Sequence, residues 1–170
     1  STSGVGDKGF LIVPGHASGG GAPGEKELVK KLAMNAYANV KKKYPNANVQ
    51  YMDLDSMFED TDEGFKKQKA WYKKKEGEGY EILEIHMDAS MESGFGSGRG
   101  VIVPVGELNR IEQHYAKNYG AFERGFRDLA APNRGASIFE LGNMSPELQQ
   151  ATKSGQVTKA QLDALTASFE

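Results

Sequence analysis

Four polar side chains stand where local structure gives them little to do: His16, Glu25, His86 and Glu140. Two neutral imidazoles and one carboxylate are a standard three-ligand set for zinc, leaving the fourth tetrahedral position to water. A second carboxylate near such a set can serve as general base, taking a proton from water and returning it to a leaving amine. The combination points to metal-assisted hydrolysis of an amide. The residue types alone leave open which carboxylate would ligate and which would move protons. Rival sets are weak. His114 lies beside Gln113 on a helical segment and is expected at the surface, no Gly-x-Ser-x-Gly elbow is present, and His-Glu-x-x-His is absent.

The spacing of apolar residues says what must position these groups. Phe10-Leu-Ile-Val reads as a strand over about residues 9–13 that stops at Pro14-Gly15 and leaves the chain at His16. Glu81-Ile-Leu-Glu-Ile-His86 alternates and also ends on its histidine. In open α/β sheets, side chains from different strands converge at the carboxyl ends, so two strand-end histidines are expected at one crevice. Glu140 interrupts the apolar strand 136–142 between Phe139 and Leu141. A carboxylate there is costly to bury unless paired, hydrogen-bonded or protonated, which marks it as a functional candidate. Glu25 opens a helix expected to run to about Tyr44, with Val29, Leu32, Ala33, Ala36, Tyr37, Val40 and Tyr44 as its buried stripe.

The remaining segments alternate in the same way. A strand is expected over 48–53, a lysine-rich helix over 64–75, a glycine-rich loop over 91–100 that lacks the lysine of a phosphate-binding loop, and a strand over 101–104. One long helix is expected from about Glu107 to Ala130, and a last helix begins at the capping box Thr158-Lys-Ala-Gln161, with Leu162, Leu165 and Phe169 as its stripe. The fold class is α/β: three αβα layers around a twisted, mixed but mostly parallel sheet of five or six strands. Residues 1–8 read as a flexible segment and 9–170 as a single catalytic domain.

Composition narrows the function classes. The chain has 170 residues, of which 38% are apolar and 26% charged, and it has no cysteine. That excludes disulfides, a thiol nucleophile and thiolate-bound metal. The formal net charge of −2 gives no case for nucleic-acid binding. Charge is unevenly spread, with 13 lysines against 9 acids in residues 1–75 and 8 Lys and Arg against 14 acids thereafter. No apolar stretch approaches the ~20 residues of a membrane helix, so no integral membrane association is expected, and the expected state is a monomer.

The same residues resemble a known family. Pro14-Gly15-His16, Glu25-Lys26-Glu27 opening a long helix, Ile85-His86 with Asp88-Ala89, Asn133-Arg134-Gly135, and Glu140-Leu-Gly142 with Ser145 behind it follow in the order of the zinc-dependent N-acetylmuramoyl-L-alanine amidases of the amidase-3 type. The resemblance implies that His16, Glu25 and His86 bind Zn²⁺ and that Glu140 is the general base and acid. It implies a peptidoglycan substrate, cleaved between N-acetylmuramic acid and L-alanine, and a place of action at the bacterial cell wall, periplasmic or extracellular, as a phage endolysin, an autolysin or a processed fragment. The pattern departs at Val13, where the family has aspartate, at Asn143, where it has phenylalanine, and in a short interval from His16 to Glu25. That interval makes Glu27 a rival to Glu25. Two helical positions apart the side chains point ~200° from one another, so only one faces the site, and the match of Leu32-Ala33 to the family's helix favours Glu25. Alternative readings are a zinc peptidase or carboxypeptidase acting on stem peptides, and a non-catalytic wall-binding module on the same fold.

Overall fold

The computed structural model describes residues 8–15, 24–59, 61–88, 99–102, 107–122 and 136–170. His16 and the N-terminal segment before Lys8 lie outside them, as does most of the glycine-rich loop. Six strands form one sheet: β1 (Gly9–Pro14), β2 (Val49–Tyr51), β3 (Tyr80–Asp88), β4 (Arg99–Ile102), β5 (Ala121–Phe122) and β6 (Ala136–Asn143), in the order β2-β1-β3-β6-β4-β5. The β2, β1, β3 and β6 strands run parallel, and β4 is antiparallel to β6. The helices are α1 (Glu25–Lys43), α2 (Leu54–Met57), α3 (Asp62–Gly77), α4 (Arg110–Tyr119), α5 (Pro146–Lys153) and α6 (Lys159–Thr166).

Strand alternation divides the core into two layers. Ile12, Leu83, Ile85, Met87, Phe139 and Leu141 point to one face and pack with Leu28, Val29, Leu32 and Ala33 of α1 and Tyr115 of α4. Leu11, Val13, Ile82 and Ile138 point to the other and pack with Leu54 of α2 and Tyr72 of α3. The αβα expectation is met, and the second face is the one that carries Glu84, His86 and Glu140 by the same alternation.

Helix α1 forms where its apolar stripe is expected, although Tyr44 ends it exposed. It starts at Gly24, whose φ of +81° suits a residue without a Cβ. Glu25 and Glu27 lie in its first turn and Lys41, Lys42 and Lys43 in its last, each matching the charge of its end of the helix dipole. At the other end of the chain, α6 begins at the expected capping box on Thr158. Leu162, Leu165 and Phe169 pack on the first face, and Asn35 and Asn39 of α1 donate to Asp163 at 3.0 Å each, so α6 is a packing element.

One expectation fails. The helix expected over 107–130 ends at Tyr119, and Gly120, at φ +106°, turns the chain so that Ala121 and Phe122 pair with Val101 and Ile102 of β4. The recurrence of aromatic residues at helical spacing extends through this break, but pairing to a sheet edge overrides it. Tyr115 is buried as expected, whereas Tyr119 is exposed.

Helix α4 is fastened to the sheet through a polar contact. Asn109 caps it, and the Asn109 side chain donates to Oε1 of Glu81 at 2.9 Å, the oxygen that also accepts from Ser137 at 2.7 Å. Burial pushes the Glu81 carboxyl up to about 7, the Ser137 hydrogen bond opposing and the nearby Glu112 charge adding to the rise. A carboxyl raised in the folded state gives stability that is fully present below its ordinary range and lost as pH climbs through about 7. Glu81→Gln is therefore expected to flatten the decline in stability between pH 5 and pH 8 by about 2 kcal/mol. Urea midpoints of both proteins at the two pH values check this, and parallel declines would contradict it.

Candidate active site

Each candidate residue among the described ones is placed by an element whose sequence dictates it. His86 lies near the end of β3, and its register partner across the sheet is Glu140 of β6. Partners in register on parallel strands point to the same face, so the alternating pattern Ile138-Phe139-Glu140 brings the carboxylate beside the imidazole. Glu25 arrives from α1, where its Oε1 accepts a hydrogen bond from the backbone N–H of Met87 at 3.3 Å. It thus reaches the strand residue that follows His86. Glu27 is exposed, so the helix turns Glu25 inward and its rival outward.

Burial is deep for such a polar group of residues: Glu25 is 1% exposed, Glu84 5%, Glu140 6% and His86 9%. Glu84 is the residue that sequence reasoning passed over. Its Oε1 lies 2.6 Å from Nε2 of His86, and its Oε2 accepts from the Tyr72 hydroxyl at 3.1 Å. A signal for it was present, because residues two apart on a strand share a face, and Glu84 stands two before the strand-end histidine. Burial by itself favours the neutral imidazole, but the hydrogen bond and charge of Glu84, with the charges of Glu140 and Glu25, outweigh it and push His86 up to about 9.

The last residue described before His16 also takes part. Gly15 donates its N–H to the carbonyl of Ile85 at 2.8 Å, and the His86 ring lies against it so closely that an added Cβ would stand 2.5 Å from both Cε1 and Nε2. A glycine before the first candidate ligand is therefore what lets the second candidate ligand sit where it does. His16 itself is outside the described residues.

This arrangement occurs on a known scaffold. The fold is that of solved N-acetylmuramoyl-L-alanine amidases. The amidase from Clostridium difficile 630 aligns over 95% of this chain and 92% of its own, with a TM-score of 0.57 at 16% sequence identity. The N-acetylmuramyl-L-alanine amidase of Mycobacterium smegmatis aligns over 97% and 96%, with a TM-score of 0.53, again at 16% identity. No protein-family profile and no curated protein sequence matches the chain. On the amidase fold, the C-terminal ends of β1, β3 and β6 bring Gly15, His86 and Glu140 to one edge, with the start of α1 beside them.

The donor chemistry at this edge fits a divalent cation. Among the described residues no three His, Asp or Glu side chains form a ready metal-binding group. Two of the three proposed ligands, Glu25 and His86, are described and are near enough for the Glu25 charge to raise the His86 pKa. Several buried carboxylates around one imidazole concentrate negative charge in a poorly solvated place, and a bound cation is a direct way to stabilise it.

Two other residues of the sequence pattern have visible structural work. Ser145 caps α5, accepting from the Leu148 N–H at 3.2 Å, and Asn143 pairs with Asp88 after a register shift that follows His86. His114 is exposed on α4, as expected.

Proposed function

We propose that the protein is a zinc-dependent N-acetylmuramoyl-L-alanine amidase, cleaving the amide between the lactyl group of N-acetylmuramic acid and L-alanine in peptidoglycan. The observation that carries the reading is the meeting of His86, Glu140 and Glu25 at the C-terminal edge of a sheet with the amidase fold. In this reading His16, Glu25 and His86 hold the metal. Zinc, when bound, supplies a Lewis acid and a water whose pKa is lowered towards ~7.

The chain's own residues do the rest. Glu140, fixed on a strand buried from Ala136 to Gly142, accepts the proton of the attacking water and returns it to the nitrogen of L-alanine as the C–N bond breaks. The products are a muramoyl carboxylate on the glycan and a stem peptide with a free amino end. Glu25 is tied to the backbone of β3 and so keeps its carboxylate at the site without a change in the sheet. The substrate locates the activity at the bacterial wall, outside the cytoplasmic membrane. No helix among the described residues is long and apolar enough to cross a membrane.

Digestion of purified peptidoglycan tests this reading. New L-alanine amino ends and muramoyl carboxylates are expected, lost on chelation and restored by Zn²⁺. Release of single C-terminal residues would identify a peptidase instead, and binding to peptidoglycan without new ends would identify a wall-binding module.

A further inference from the structure

We propose that Glu84 is the positioning residue of this site: it fixes the imidazole of His86 through Nε2, is itself fixed by Tyr72, and so holds the ring in one plane for binding a cation. The consequence for the metal rests on the zinc reading above. The hydrogen bonds themselves do not depend on that reading.

The geometry is a chain of three contacts anchored in the core. Glu84 and His86 are two residues apart on β3 and point to the same face, so their Cα atoms are separated by roughly 6.6 Å and the Glu84 side chain can fold back onto the ring. The 2.6 Å separation of Oε1 and Nε2 is that of a charge-assisted hydrogen bond. The second carboxylate oxygen accepts from Tyr72, so both oxygens are engaged and the carboxylate is held at two points. Tyr72 is fully buried on α3 among Leu11, Val13 and Ile82, and its ring packs at 5.5 Å from Trp71. The position of the imidazole is thereby referred to the packing of a whole helix.

Packing alone does not call for an acid at this place. The neighbouring positions on this face are Leu11, Val13, Ile82 and Ile138, and a leucine at 84 would join them without the desolvation that a buried carboxylate incurs. What a carboxylate does and a leucine cannot is grip a ring nitrogen of the histidine and so set the plane of the imidazole.

The test uses the full chain with Glu84→Gln and Tyr72→Phe. In the metal-free protein, nitrogen-15 NMR is expected to show a slowly exchanging, far-downfield Nε2–H proton on His86 that moves upfield or vanishes in Glu84→Gln. By chelator competition, Zn²⁺ and Co²⁺ affinities are expected to fall about 10- to 100-fold in Glu84→Gln, and less in Tyr72→Phe, while the Co²⁺ visible spectrum keeps its shape because the donors are unchanged. An unchanged imidazole signal in Glu84→Gln, or unchanged affinity in that variant where the wild type binds metal, overturns the proposal. Weaker Co²⁺ binding with an altered spectrum makes Glu84 a ligand and overturns it as well. If the imidazole signal responds as expected but the wild type binds neither metal, the hold of Glu84 on His86 is supported and the zinc reading is what fails. Should Glu84→Gln fold poorly, Tyr72→Phe carries the same comparison with both carboxylate oxygens retained.

Discussion

Glu140→Gln is expected to lower kcat for peptidoglycan hydrolysis by about 10²- to 10⁴-fold while leaving zinc content unchanged. The substitution is nearly isosteric, so it keeps the packing of a side chain buried between Phe139 and Leu141. What it removes is the capacity to take up a proton at the carboxylate and hand it on. Glu140 is suited to that exchange by its place opposite His86 in the sheet register, beside the proposed metal and not on the helix that supplies Glu25. The matching change, Glu25→Gln, separates the two roles. It keeps an oxygen able to accept from the Met87 N–H, yet it replaces a charged proposed ligand with a neutral one, so zinc affinity is expected to fall along with turnover. Zinc analysis and turnover on the two purified variants give a clear pair of outcomes. If Glu140→Gln loses its zinc and Glu25→Gln retains it, the ligand and the base have been assigned the wrong way round.

The candidate site is partly legible in the sequence, and the reason is periodicity. Strand-end histidines, an acid inside an apolar strand and a glutamate opening an amphipathic helix can each be read from the spacing of their neighbours. The three αβα layers follow from the same alternation. What spacing does not reveal is a contact that depends on register between strands or on packing across layers. That His86 stands opposite Glu140 and not beside Ile138 is fixed by the register of β3 with β6, which no local pattern encodes. The hold of Tyr72 on Glu84 joins residues twelve apart through the packing of α3 on the sheet. Helix geometry narrows Glu25 and Glu27 to one, the match of Leu32-Ala33 to the family's helix favours Glu25, and Glu25 is the one the structure buries. The failure at Gly120 has the same origin, since pairing of Ala121 and Phe122 with β4 is a non-local gain that overrides a locally plausible helix.

Gly15→Ala is expected to lower zinc affinity and kcat/KM by about 10²-fold or more, although it adds only one methyl group. The ideal Cβ at this position lies 2.5 Å from Cε1 and Nε2 of His86 and 2.8 Å from Cδ2. Carbon atoms in good contact are about 3.5–4.0 Å apart, so roughly 1 Å of movement must come from one side. The backbone resists it: β1 is paired with β3 over six residues, and the Gly15 N–H is bonded to the Ile85 carbonyl at 2.8 Å. The ring is the softer partner, but it is buried and gripped by Glu84, so its displacement breaks the 2.6 Å contact that orients it. A misplacement of that size at a reacting centre is enough for the stated loss. Overpacking also lowers stability, by about 1–3 kcal/mol, so a folded variant remains available for measurement. Gly77→Ala is the control, because a Cβ there meets nothing within 4 Å and the added methyl in a helix is neutral or mildly stabilising. Zinc titration and peptidoglycan turnover on both variants decide the matter. Wild-type affinity in Gly15→Ala would mean that the imidazole has room to spare, and the placement of His86 over the end of β1 would have to be abandoned.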